Sequence, residues 1–126
     1  MSSLLGEREA GPQEIGLESA NGVPQLSVRA LKQKLDAGED LFILDVREPI
    51  EYEIANIGGA LIPQGEVPER LAEIDPEREI VVFCRSGQRS QVIAEFLQAA
   101  GYPRVANVAG GILAWSEEID PSVYEF

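Results

Sequence analysis

The chain has 126 residues, 44% of them hydrophobic, with 22 acidic against 10 basic side chains and a formal net charge of −12. That length fits one domain with its own core, and no apolar run approaches the roughly 18 residues a membrane helix needs, so no membrane span is expected. The acidic excess argues against nucleic acid as a partner, because phosphate binding wants a basic face.

Residues 1–23 are rich in Glu, Gly and Ser with little apolar periodicity, which predicts a flexible N-terminal tail ahead of a folded domain over 24–126. Ser27 is placed to cap a helix reaching Ala37, with Val28, Leu31 and Leu35 on one face and Gly38 as terminator. Leu41, Phe42, Ile43 and Leu44 form a continuous apolar run suited to a strand buried on both faces. It ends at Asp45-Val46-Arg47-Glu48. A short helical turn is expected over 49–54, broken by Gly58-Gly59, then a short strand over 60–63 and a helix over 68–74 with Leu71 and Ile74 inward. A second buried strand covers 79–83. The helix expected over 90–100 carries Val92, Ile93, Phe96, Leu97 and Ala100 at helical spacing and ends at Gly101. A last strand over 105–108 precedes Gly110-Gly111 and a helix containing Leu113 and Trp115. Strands alternating with helices predict an α/β fold with a mainly parallel central sheet flanked by helices on both faces.

Cys84 is the only cysteine, and the chain contains no histidine. An internal disulfide and a multi-cysteine zinc site are therefore excluded, and neither a metal nor a cofactor is expected. The N-terminus lacks a basic patch followed by an apolar core, which argues against a signal peptide and makes the cytoplasm the expected compartment. Cys84 opens the run Cys84-Arg85-Ser86-Gly87-Gln88-Arg89-Ser90 between a strand and a helix start. In a parallel sheet, ligands sit beyond the carboxyl ends of the strands. Unpaired backbone N–H groups at the next helix, its dipole, and the charges of Arg85 and Arg89 all favour thiolate over thiol there. A thiolate needs no general base. Gly87 allows the backbone to curl so that successive N–H groups face one centre. The competing reading, a lone cysteine as an inert buried hydrophobe, is outweighed by the flanking arginines and glycine.

The Cys84–Ser90 run resembles the active-site loop of rhodanese-type sulfurtransferases. Ile43-Leu44-Asp45-Val46-Arg47-Glu48-Pro49 with Glu51-Tyr52 resembles that family's first signature, Ile57-Gly58-Gly59-Ala60 with Ile62-Pro63 the next, and Val108-Ala109-Gly110-Gly111-Ile112 with Ala114-Trp115 the closing one. The resemblance covers about residues 25–120. One departure is Asn56, where the family often has histidine before the isoleucine of the second signature. The ending around Trp115 to Tyr124 resembles rhodanese domains fused behind enzymes that adenylate sulfur-carrier proteins. The tail could then be a linker remnant, although the start at Met1 leans towards a free-standing protein.

What the resemblance implies is sulfur transfer through a persulfide on Cys84. Cys84 would attack the outer sulfur of a donor such as thiosulfate, and a thiol or a sulfur-carrier protein would be the acceptor. Backbone N–H groups over Arg85, Ser86, Gly87, Gln88 and Arg89, with Ser90, would line the substrate site, and Arg89, with Arg85, would bind the donor's sulfonate end. Asp45 and Arg47, at the end of the first buried strand, are expected near the loop as a structural or supporting ion pair. Trp115 and Gly110-Gly111 are expected to serve packing and turns, and Glu51 and Tyr52 to be structural. Two other functions remain open. One is a binding module without catalysis. The other is a cysteine-dependent phosphatase, disfavoured because its loop has five residues between Cys and Arg whereas this chain has four.

Overall fold

The computed structural model describes residues 22–124. Most of the expected tail lies outside the described residues. Val23, its last member, is fully buried in the core.

Five strands form one all-parallel sheet: β1 (Gln25–Leu26), β2 (Leu41–Asp45), β3 (Ala60–Leu61), β4 (Glu79–Phe83) and β5 (Val105–Val108). Their order is β1-β5-β4-β2-β3, so β4 is central, paired with β2 on one side and β5 on the other. The α-helices among the described residues are α1 (Val28–Asp36), α2 (Pro49–Ile54), α3 (Gln88–Ala99) and α4 (Gly111–Glu118). Ser27 caps α1 by accepting from the Ala30 N–H at 3.1 Å, which satisfies one of the helix's orphan donors.

The central strand shows why the sheet is covered twice. Successive side chains of a strand point to opposite faces, and β4 is apolar at every position after Glu79. Ile80, Val82 and Cys84 enter a core shared with Leu44, Val105 and the α3 residues Ile93, Ala94 and Leu97. Val81 and Phe83 enter a second core with Leu26, Val28, Leu31, Val108, Ile112 and Trp115. Thus α1 and α4 cover one face and α3 the other. Each fully buried aliphatic or aromatic side chain contributes about 1.5–3 kcal/mol, so the position of β4, and of whatever follows it, is strongly fixed.

Four local expectations are corrected. Gln25 and Leu26 form a strand at the sheet edge, where only the onset of order was expected. The helix expected over 68–74 is a 3-10 segment, Gln64–Glu73, broken at Arg70 (φ −115°), with Pro68 inside it and Ile74 already extended. In an α-helix over the whole of this segment Pro68 would fall in the interior, where its missing N–H leaves the Gln64 carbonyl without a donor. The strand expected over 60–63 is limited to Ala60–Leu61. Val92 is 53% exposed, because the buried stripe of α3 is Ser90, Ile93, Ala94 and Leu97, the i, i+3, i+4, i+7 set.

Candidate active site at the end of the central strand

Cys84 is the first residue beyond β4 and is fully buried. Its Sγ accepts from the Gly87 N–H at 3.1 Å and the Ser90 N–H at 3.4 Å. The Ser90 hydroxyl lies 3.2 Å from the sulfur. The helix that follows starts at Gln88, two residues earlier than its apolar spacing suggests. Ser90 therefore sits in its first turn, where backbone N–H groups have no partner within the helix.

Two glycines make this curl possible. Gly87 has φ +98°, a conformation costly for residues with a Cβ. Gly111 has φ +54°, and a Cβ there would overlap the carbonyl oxygens of Cys84 and Arg85. Its absence lets the N-terminus of α4 reach the loop from below: Ile112 N–H donates to the Cys84 carbonyl at 2.9 Å and Leu113 N–H to the Arg85 carbonyl at 3.1 Å. The Cys84 and Arg85 carbonyls are thus anchored to α4, and the loop that follows them curls so that the N–H groups of Gly87 and Ser90 face the sulfur. Gly110-Gly111 thus serves the turn, as expected, and supports the loop as well.

The other loop residues are placed as follows. Ser86 and Gln88 are exposed, Arg85 is half-buried, and Ser90 is buried. Arg89 makes a two-pronged ion pair with Glu51 of α2, at 2.8 and 2.9 Å. Glu51 was expected to be structural, with no partner in the loop foreseen. Its Oε1 also accepts the Glu48 N–H at 2.8 Å, so the same carboxylate holds the start of α2 and an arginine of the loop.

Asp45 and Arg47 are both fully buried and paired. Arg47 Nε donates to Asp45 Oδ1 at 2.9 Å, and a terminal nitrogen donates to Oδ2 at 2.8 Å and to the Ala55 carbonyl at 2.8 Å. The guanidinium lies 5.8 Å from the centre of the Phe83 ring, the residue before Cys84. The pair therefore joins the end of β2, the C-terminus of α2 and the end of β4. Tyr52 Oη donates to the Gly59 carbonyl at 2.7 Å, and Trp115 is core. Asn56, the departure from the family pattern, closes a local turn: its Nδ2 donates to the Tyr52 carbonyl at 3.0 Å and its Oδ1 accepts the Gly58 N–H at 2.9 Å.

Asn107 was missed altogether. It lies on β5, 3% exposed. It accepts the Ser90 hydroxyl and donates to the Gly87 carbonyl at 3.1 Å and to Gln25 Oε1 at 2.9 Å. The available signal was compositional: asparagine is depleted in strands, and here it interrupts the apolar run of Val105, Ala106 and Val108.

Residues 27–118 match the rhodanese-like domain. The chain belongs to the rhodanese family. The Bacillus subtilis protein named "Putative sulfur carrier protein YrkF" is 44% identical over 100 residues, covering 79% of this chain and 54% of that protein. The chain thus spans about half of YrkF's length. A sulfurtransferase of Allochromatium vinosum is 38% identical over 102 residues, 80% of this chain and 95% of its own length. The Mycobacterium tuberculosis protein named "Probable adenylyltransferase/sulfurtransferase MoeZ" is 35% identical over 101 residues, 78% of this chain and 26% of MoeZ. Among solved structures, a rhodanese-related protein of Thermoplasma volcanium superposes with a TM-score of 0.69 at 31% identity, covering 75% of this chain and 92% of that one. Among the described residues of this rhodanese domain, no helix is long and apolar enough to cross a membrane.

Proposed function

We propose that this rhodanese domain is a sulfurtransferase that carries sulfane sulfur as a persulfide on Cys84. The observation that carries this reading is the sulfur itself: it sits beyond the central strand with the N–H groups of Gly87 and Ser90 aimed at it. Donors pointed at one sulfur suit an anion, whether thiolate or persulfide.

With thiosulfate as donor, the Cys84 thiolate attacks the outer sulfur. The new S–S bond forms as the bond to the sulfonate breaks, and sulfite leaves with the electron pair. An acceptor nucleophile then attacks the outer sulfur of the persulfide, and the Cys84 thiolate is regenerated. Cyanide would leave as thiocyanate. In the cell the acceptor would be a thiol or a sulfur-carrier protein, a partner class suggested by the names of YrkF and MoeZ. Arg85 and Arg89 would receive the donor's anionic end. Because Arg89 is held by Glu51, the sulfonate would compete with that carboxylate for the guanidinium. Cys84 is fully buried, so its attack requires the loop side chains to part. The outer sulfur of the persulfide, one bond further out, is then the atom the acceptor meets.

The test is the intact mass of the purified protein after thiosulfate, and again after cyanide. A gain of one sulfur atom, removed with the release of thiocyanate, is expected. No gain with thiosulfate or with a protein persulfide donor would sink the reading in favour of a binding module.

A further inference from the structure

From the direction of the hydrogen bonds behind the loop, we infer that Asn107 is a positioning residue that holds the Ser90 hydroxyl proton away from Cys84 and so restrains the nucleophile. The inference rests on the reading of Cys84 as the nucleophile, but it concerns a residue on another strand that never touches the sulfur.

Two backbone carbonyls fix the direction of the network. A carbonyl only accepts. Asn107 Nδ2 lies 3.1 Å from the Gly87 carbonyl, and Gln25 Nε2 lies 3.2 Å from the Val23 carbonyl. Both amides are thereby oriented, nitrogen towards the carbonyl. Asn107 Nδ2 also donates to Gln25 Oε1 at 2.9 Å, Gln25 Nε2 donates to Gln91 Oε1 at 2.7 Å, and Gln91 Nε2 donates to the Glu95 carboxylate at 2.8 Å. Every link runs the same way, from the buried interior towards Glu95. At the inner end, Asn107 Oδ1 can only accept, and the Ser90 hydroxyl donates to it.

A serine hydroxyl has one proton. With that proton on Asn107, Ser90 presents only lone pairs to Cys84 Sγ, 3.2 Å away. That arrangement suits a neutral thiol, whose S–H becomes the first donor of the chain. An anionic sulfur in the same place faces an oxygen lone pair. The alternative is for Ser90 to turn its proton to the sulfur. Asn107 Oδ1 then loses its donor at a site only 3% exposed, and a buried acceptor without a partner is unfavourable. Asn107 therefore competes with the anionic sulfur for one proton, while the N–H groups of Gly87 and Ser90 support the anion. The two sets of groups oppose each other across Ser90.

The test uses Cys84 as its own reporter. The chain has no other cysteine, so one added mass reports alkylation of this site and does not depend on sulfur transfer. Iodoacetamide rates would be measured at one neutral pH for the parent protein, Asn107→Val, Ser90→Ala and the double variant. Asn107→Val is expected to react roughly tenfold faster, the scale set by one unpaired buried acceptor. In the Ser90→Ala background the same substitution should change the rate less than twofold. A general loosening of the loop would instead raise both backgrounds equally, which a double-mutant cycle separates. An unchanged or slower Asn107→Val, or an equal rise in both backgrounds, overturns the inference. Asn107→Ala, which adds no branched side chain, carries the same comparison should Asn107→Val not fold. Failure here with a persulfide still forming would leave the proposed function standing.

Discussion

The carboxyl ends of β2 and β4 are neighbours in the sheet, and each buries polar groups in its own way. At the end of β2, the charges of Asp45 and Arg47 are matched to each other and the guanidinium also donates to the Glu51 and Ala55 carbonyls. At the end of β4, the sulfur meets two N–H groups and a hydroxyl whose proton is engaged elsewhere. A pair that satisfies itself braces the fold and has nothing left to offer a substrate. A sulfur whose surroundings can reorganise is able to change its bonding. Buried polarity alone therefore does not mark a reactive site; incomplete commitment does.

Replacing the proposed nucleophile is the sharpest way to break the comparison. Cys84→Ser should abolish sulfur transfer in the thiocyanate assay while the far-UV spectrum and melting temperature stay near those of the parent. At the other strand end the effect should fall on stability. Arg47→Met leaves Asp45 buried without its partner and should cost about 3–5 kcal/mol in urea unfolding. Replacing both members with apolar residues should recover much of that loss, because no isolated charge then remains. Gly111→Ala tests whether α4 shapes the loop. A methyl group against two carbonyls, at positive φ, should cost roughly 1–3 kcal/mol and depress transfer more than Arg47→Met does at equal fraction folded. The smallest effect is expected at the contact linking the two regions. Glu51→Gln removes the carboxylate that competes for Arg89 and should lower the KM for thiosulfate about threefold, in keeping with the modest worth of a partly exposed pair. An increase in KM would instead make Glu51 a support for Arg89.

What could be read in the sequence follows the reach of each interaction. β2 and β4 were legible because a strand covered on both faces leaves a continuous apolar run, and β5 because only Asn107 interrupts its run. The Cys84 loop was legible because its cysteine, glycine and arginines are contiguous. Pairings between distant residues were not. Ser90 meets Asn107 across 17 positions, Arg89 meets Glu51 across 38, and Asn107 meets Gln25 across 82. No local window contains both members of such a pair. β1 was hidden for a related reason: two residues have no measurable periodicity, and only pairing with β5 makes them a strand. The 3-10 segment escaped because apolar spacing alone does not distinguish its hydrogen-bonding pattern from that of an α-helix.

The all-apolar run of β4 also bears on motion. A central strand flanked by two parallel partners exchanges its amide hydrogens only through large openings, whereas loops exchange through local ones. Val82 and Phe83 should therefore be among the slowest amides to take up deuterium, and Ser86 and Gln88, a few residues away, among the fastest. The sulfur sits at the boundary between these regimes. Ligands would alter deuterium uptake on the loop side of Cys84 and leave the strand side as it was.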